Sequence, residues 1–86
     1  MKIFKYPVTI SDDQNVVMPA GAQILTVQIQ GRTPVLWALV DETGLPTQRR
    51  IEVHGTGNPI PEGKRQYIAT IQTHQGQFVW HFFERF

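Results

Sequence analysis

Cysteine is absent from the chain, which removes disulfides, thiolate metal sites and thiol nucleophiles together. A reducing compartment is compatible with that absence. Net charge is nearly absent too: eight Lys and Arg against seven Asp and Glu leave +1. No overall field is there to hold a phosphate backbone or an anionic membrane, so the charge balance argues against nucleic acid as a partner. Long apolar runs are missing. The longest, Val35 to Val40, covers six residues, against about 20 for a membrane-crossing helix. No segment carries apolar residues at helical spacing for long enough to argue a helix. Serine is reduced to Ser11, which sits beside Asp12 and Asp13, where turn chemistry explains it without a catalytic role.

What is present is the composition of a folded chain. Hydrophobic residues make up 41% and charged residues 17% of the 86, too apolar for disorder and too short for a second core. The expectation is one domain over residues 1–86. Two-residue alternation carried by β-branched and aromatic side chains recurs from end to end. It predicts strands at about 2–10, 15–18, 23–30, 35–41 and 49–54, then a closing hairpin of Tyr67 to Thr73 and Phe78 to Glu84. In the first of these Phe4, Tyr6, Val8 and Ile10 share a face, and in the third Leu25, Val27 and Ile29 do. The stretch from Val35 is apolar on both faces and reads as central. The predicted class is all-β, a small antiparallel meander of six to seven strands curled into a barrel or a sandwich. Val27, Trp37, Leu39, Ile51 and Val53 are the expected core. The first ten residues lack the apolar block of a signal peptide and read as the first strand, so a soluble, cytoplasmic protein with no membrane partner is expected.

Chemistry-bearing patterns are weak. His54, His74 and His81 match no metal-ligand spacing. Gly55 and Gly57 open like a phosphate-cradling loop, but Pro59 and Pro61 follow, so the helix whose amides would hold the anion cannot start there. Neither a catalytic residue, nor a metal, nor a cofactor is expected. Lys5, Arg50 and Arg65 would make a basic patch if their strands lie together, with acidic Glu52 and Glu62 diluting it.

Two segments stand out as contact candidates. From His54 to Gly63 runs the longest stretch without strand pattern, stiffened by Pro59 and Pro61. His54, Asn58, Pro59, Ile60, Pro61 and Lys64 are its expected partner-binding residues, with Ile60 either an outward apolar anchor or a plug for the end of the sheet. The closing strand is apolar on both faces. Phe78, Trp80 and Phe82 share one face; Val79, His81, Phe83 and Arg85, with the terminal Phe86, are expected to support self-association as a symmetric homodimer, on the reading that this strand lies at a sheet edge.

The runs Met1 to Pro7, Gly21 to Gln28, Leu36 to Asp41 and His54 to Pro61 resemble a family of small uncharacterised proteins of bacteriophages and prophage regions, and the likeness covers most of the chain. The resemblance implies a setting, the cytoplasm of a bacterial host, and no activity or site residue. With it, the expected function is that of a non-enzymatic accessory protein contacting a host or phage protein, with inhibition of a host factor or defence system as one such role. The alternative is a small β-barrel module that binds nucleic acid or a ligand.

Overall fold

In the computed structural model, which describes residues 1–86, the alternation becomes seven strands: β1 (Lys2–Pro7), β2 (Asp13–Pro19), β3 (Gln23–Gln30), β4 (Thr33–Val40), β5 (Pro46–Gly55), β6 (Arg65–Thr73) and β7 (Phe78–Arg85). All pairings are antiparallel. A three-stranded sheet in the order β1-β4-β3 faces a four-stranded sheet in the order β2-β5-β7-β6, and the two form an open sandwich, not a closed barrel. Consecutive strands pair only in the hairpins β3–β4 and β6–β7. The other connections cross between sheets or skip a neighbour. No helix is long and apolar enough to cross a membrane.

The core lies between the sheets. Val27, Ile51 and Val53 are buried there as the alternation predicts, together with Met18, Leu36, Ala38, Val40, Ile71 and Phe82. Trp37 and Leu39 are not: β4 turns Leu36, Ala38 and Val40 inward, and Trp37 and Leu39 are half-buried on the outer side. The reason is volume. Ala38 pairs with Phe4 on one side and Ile24 on the other, and both of these larger side chains pack against the core over it, so large and small alternate across the sheet. Because β4 is apolar on both faces, its own pattern does not distinguish the two registers.

β3 departs from the expected face as well. A bulge between Ile24 and Thr26 leaves Leu25 exposed and resets the parity. Ile24 and Val27, which an unbroken strand would put on opposite faces, therefore both pack on the core.

One end of the core is closed by charge. Glu84 follows Phe82 on the inner face of β7 and is buried. Its carboxylate receives Nε and Nη2 of Arg49, while Nη1 of the same guanidinium donates to the Ala22 carbonyl at 2.8 Å. Arg49 thus ties β5 and β7 of one sheet to the start of β3 in the other, with a bidentate geometry that only arginine supplies.

Candidate functional site

The outer face of the four-stranded sheet collects residues from both contact candidates. Register places Glu52 of β5 beside Phe83 of β7 and Phe83 beside Tyr67 of β6, with His54, His81 and Thr70 in the next row. Phe83 is the centre of an aromatic row, meeting Tyr67 at 5.7 Å and the His54 ring at 5.9 Å, both edge to face, an arrangement that aromatic quadrupoles favour. Tyr67 remains 56% exposed.

Beneath the row lies a buried carboxylate. Glu52 accepts from Arg65 Nε at 3.0 Å, lies 3.2 Å from His54 Nε2, and has Arg85 Nε at 3.7 Å. Burial pushes its carboxyl up, but the hydrogen bonds from His54 and Arg65 outweigh that and hold it below its ordinary value. Arg50 is held separately, by Asp13, with Nη2 to Oδ2 at 2.7 Å. The arginines are therefore fixed before any partner arrives.

His81 sits in a chain of hydroxyls. Its Nε2 lies 2.7 Å from Thr56 Oγ1 and its Nδ1 lies 2.9 Å from Thr70 Oγ1, which in turn meets the Tyr67 hydroxyl at 2.7 Å. Both ring nitrogens are occupied by threonines, so no carboxylate orients this histidine as a base. Nor do three metal-ligating side chains converge anywhere in the fold.

The loop after β5 folds against this face. Thr56 N–H donates to Val79 O and Asn58 N–H to Gly55 O, which uses up two amides that a phosphate-cradling turn would need free. Asn58, Pro59 and Pro61 line a cleft of about 530 Å³ with Glu52, His54 and the Ile10–Asp13 turn. Ile60 is absent from that lining and from the core, and is 47% exposed. It is not a plug. At the far end of the loop Gly63 adopts φ +144°, and the Arg85 guanidinium lies where a Cβ would be; Arg85 Nη2 donates to Glu62 O at 3.3 Å. Lys64 is exposed, and its carbonyl takes the Phe86 amide at 2.9 Å.

Two expectations need correction. β7 is not an edge strand: β5 pairs with one side of it and β6 with the other, so its backbone is unavailable for strand addition. Val79, His81, Phe83 and Arg85 offer instead a sheet face, with Phe86 exposed at its end. The basic patch is also not assembled. Lys5 lies on the three-stranded sheet, bonded to Gln30 at 2.8 Å, while Arg50 and Arg65 are paired on the other sheet with Asp13 and Glu52. Tyr67, Thr56, Thr70 and Glu52 are the contributors that sequence reading missed, because their roles come from the β5-β7-β6 order and not from local pattern.

No curated protein and no solved structure gives a significant match to the chain. The family model described as Domain of unknown function (DUF7352) matches residues 1–86, and the chain belongs to that family.

Proposed function

We propose that the chain is a non-enzymatic module that works through protein contacts, made by the outer face of β5, β7 and β6 with the loop from His54 to Lys64. The observation that carries this reading is the row Tyr67–Phe83–His54, partly exposed and braced from below by ion-paired arginines. Rigid aromatics flanked by immobilised arginines are the composition of binding hot spots, since little side-chain entropy remains to be lost. Exposed Ile60 offers a further apolar side chain on the adjoining loop. The same surface is available to a second copy of the chain, and a symmetric dimer through Val79, His81, Phe83, Arg85 and Phe86 belongs to this proposal. A role in a bacterial cytoplasm, with a host factor as the partner, is part of the same proposal.

Affinity capture from expressing bacteria, with and without nuclease and with Tyr67→Ser/Ile60→Asp as control, tests it. Capture of a defined protein that survives nuclease and is lost in the double variant is the expected result. Capture abolished by nuclease moves the function to nucleic acid. If no protein is captured and sedimentation at ~100 µM, where a modest interface still populates, shows a monomer, the proposal fails.

A further inference from the structure

The sandwich is not closed at the end opposite the Arg49–Glu84 clamp. Along the inner face of β7 the side chains run from buried Glu84 and Phe82 to half-buried Trp80 and exposed Phe78. Across from Trp80, on the other sheet, Ile29 occupies an inward position of β3 yet remains 38% exposed. Between them opens a cleft of about 790 Å³, walled by Ile10, Ile29, Pro34 and Trp80. That volume falls in the range of small-molecule sites, roughly 300–1,000 Å³.

Its walls are set in advance. The Trp80 indole donates Nε1–H to Thr73 Oγ1 at 2.9 Å and lies near-parallel to the Phe78 ring, 6.0 Å away. His74, which also lines the cleft, meets Phe78 edge-on at 5.0 Å. The hairpin turn that presents it, closed by Gln77 N–H to His74 O, holds His74 and Gln75 in the left-handed region at φ 54° and 57°, which fixes where the imidazole lies. The remaining polar lining is neutral Gln72 and one cation. Arg32 reaches the cleft from the β3–β4 turn, and it is the one arginine that no carboxylate of the chain neutralises, the other four all being ion-paired.

From this we infer that the open end of the sandwich is a binding site for a small organic anion with a flat apolar body. The body stacks between Trp80 and Ile29, and the anionic group meets the Arg32 guanidinium at the rim. This site adjoins the cleft of the outer contact face, because Ile10 and Trp80 line both, but it takes its ligand on the inner side, where Ile29 lies, and not on the outer row of Phe83 and Tyr67. An apolar surface alone would take neutral ligands equally well; the unpaired Arg32 is what selects charge.

The test uses 1-naphthalenesulfonate and, as its neutral counterpart, 1-naphthylmethanol, each titrated to ~1 mM, the regime of weak small-ligand binding, into isotope-labelled protein. The two indole N–H resonances are assigned from Trp37→Phe and Trp80→Phe. The sulfonate is expected to shift the Trp80 signal saturably and to leave Trp37 unmoved. Arg32→Ala should weaken the sulfonate about tenfold, the worth of one charge-assisted contact, and leave the alcohol unchanged. Ile29→Asp, at a half-exposed position, should abolish sulfonate binding in a protein whose amide spectrum is otherwise intact. Absence of a Trp80 shift, an Arg32→Ala variant that keeps its preference for the sulfonate, or shifts centred on Tyr67 and Phe83 would each overturn the assignment.

Discussion

Removing the charge from Glu84 while keeping its shape, as Glu84→Gln does, isolates the clamp that closes the core. The Arg49 side chain is only 20% exposed and Glu84 8%, so the variant leaves a guanidinium in a poorly solvated place opposite a neutral amide. Removing one partner of a buried pair costs about 3–5 kcal/mol. Arg49 retains its bond to the Ala22 carbonyl and its partial exposure, which puts the expected loss at or just below that range, about 2–3 kcal/mol. A domain of this size has a total stability of roughly 4–13 kcal/mol and shifts its Tm by about 4–8 °C per kcal/mol. The variant should therefore melt about 10–20 °C below the wild type. Arg49→Met should cost a similar amount, since it strands a buried carboxylate. The pair Arg49→Met/Glu84→Leu should recover most of the loss, because an apolar pair of similar volume avoids desolvating two ions. Thermal and urea melts of the wild type, Arg49→Met, Glu84→Leu and the pair form a double-mutant cycle, with Glu84→Gln measured beside it. The reasoning is refuted if either single variant melts within about 3 °C of the wild type, or if the losses simply add.

Four further outcomes are expected. Glu52 has a folded-state pKa below its ordinary value, so its contribution to stability is full above the unfolded pKa of about 4.3 and is lost as pH falls through the folded value; Glu52→Gln should flatten the fall in Tm below about pH 4.5, and an unchanged acid limb would count against the network. Leu36→Gln should lose about 3 kcal/mol or more by burying an amide in the core, whereas Trp37→Gln on the outer face should lose about 1 kcal/mol; urea unfolding that ranks them the other way would reverse the register of β4. Ile60→Asp should melt within about 2 °C of the wild type because the side chain fills no core space, and a large drop in a thermal scan would restore the plug. Gly63→Ala should lose about 1–2 kcal/mol, since its φ disfavours a side chain and the new Cβ displaces the Arg85 guanidinium; chemical denaturation showing no loss would mean that the loop does not rest on Arg85.

The strands themselves were legible because a half-buried strand must alternate, and β5 shows it: Ile51 and Val53 face the core while Arg50, Glu52 and His54 face out, as their order along the chain implies. Alternation failed where its premise did. β4 is covered on both sides, so Leu36 and Trp37 are equally plausible inward residues until Phe4 and Ile24 are known to lie beside Ala38. In β3 a single bulged residue, Leu25, changes which side chains share a face, and nothing in the run from Gln23 to Gln30 marks it, since no glycine or proline falls there. The contact face was hidden for a different reason. Glu52 reads locally as an ordinary solvent-facing acid, and becomes a buried carboxylate only because β7 inserts between β5 and β6 and brings Arg85, Phe83 and Arg65 over it. Strand order is decided by how the two sheets share the common core of Met18, Leu36, Ile51 and Phe82, residues far apart in the chain. A residue's face is thus a local property and its neighbours are a global one, and the proposed contact face, built from neighbours, depends on the second.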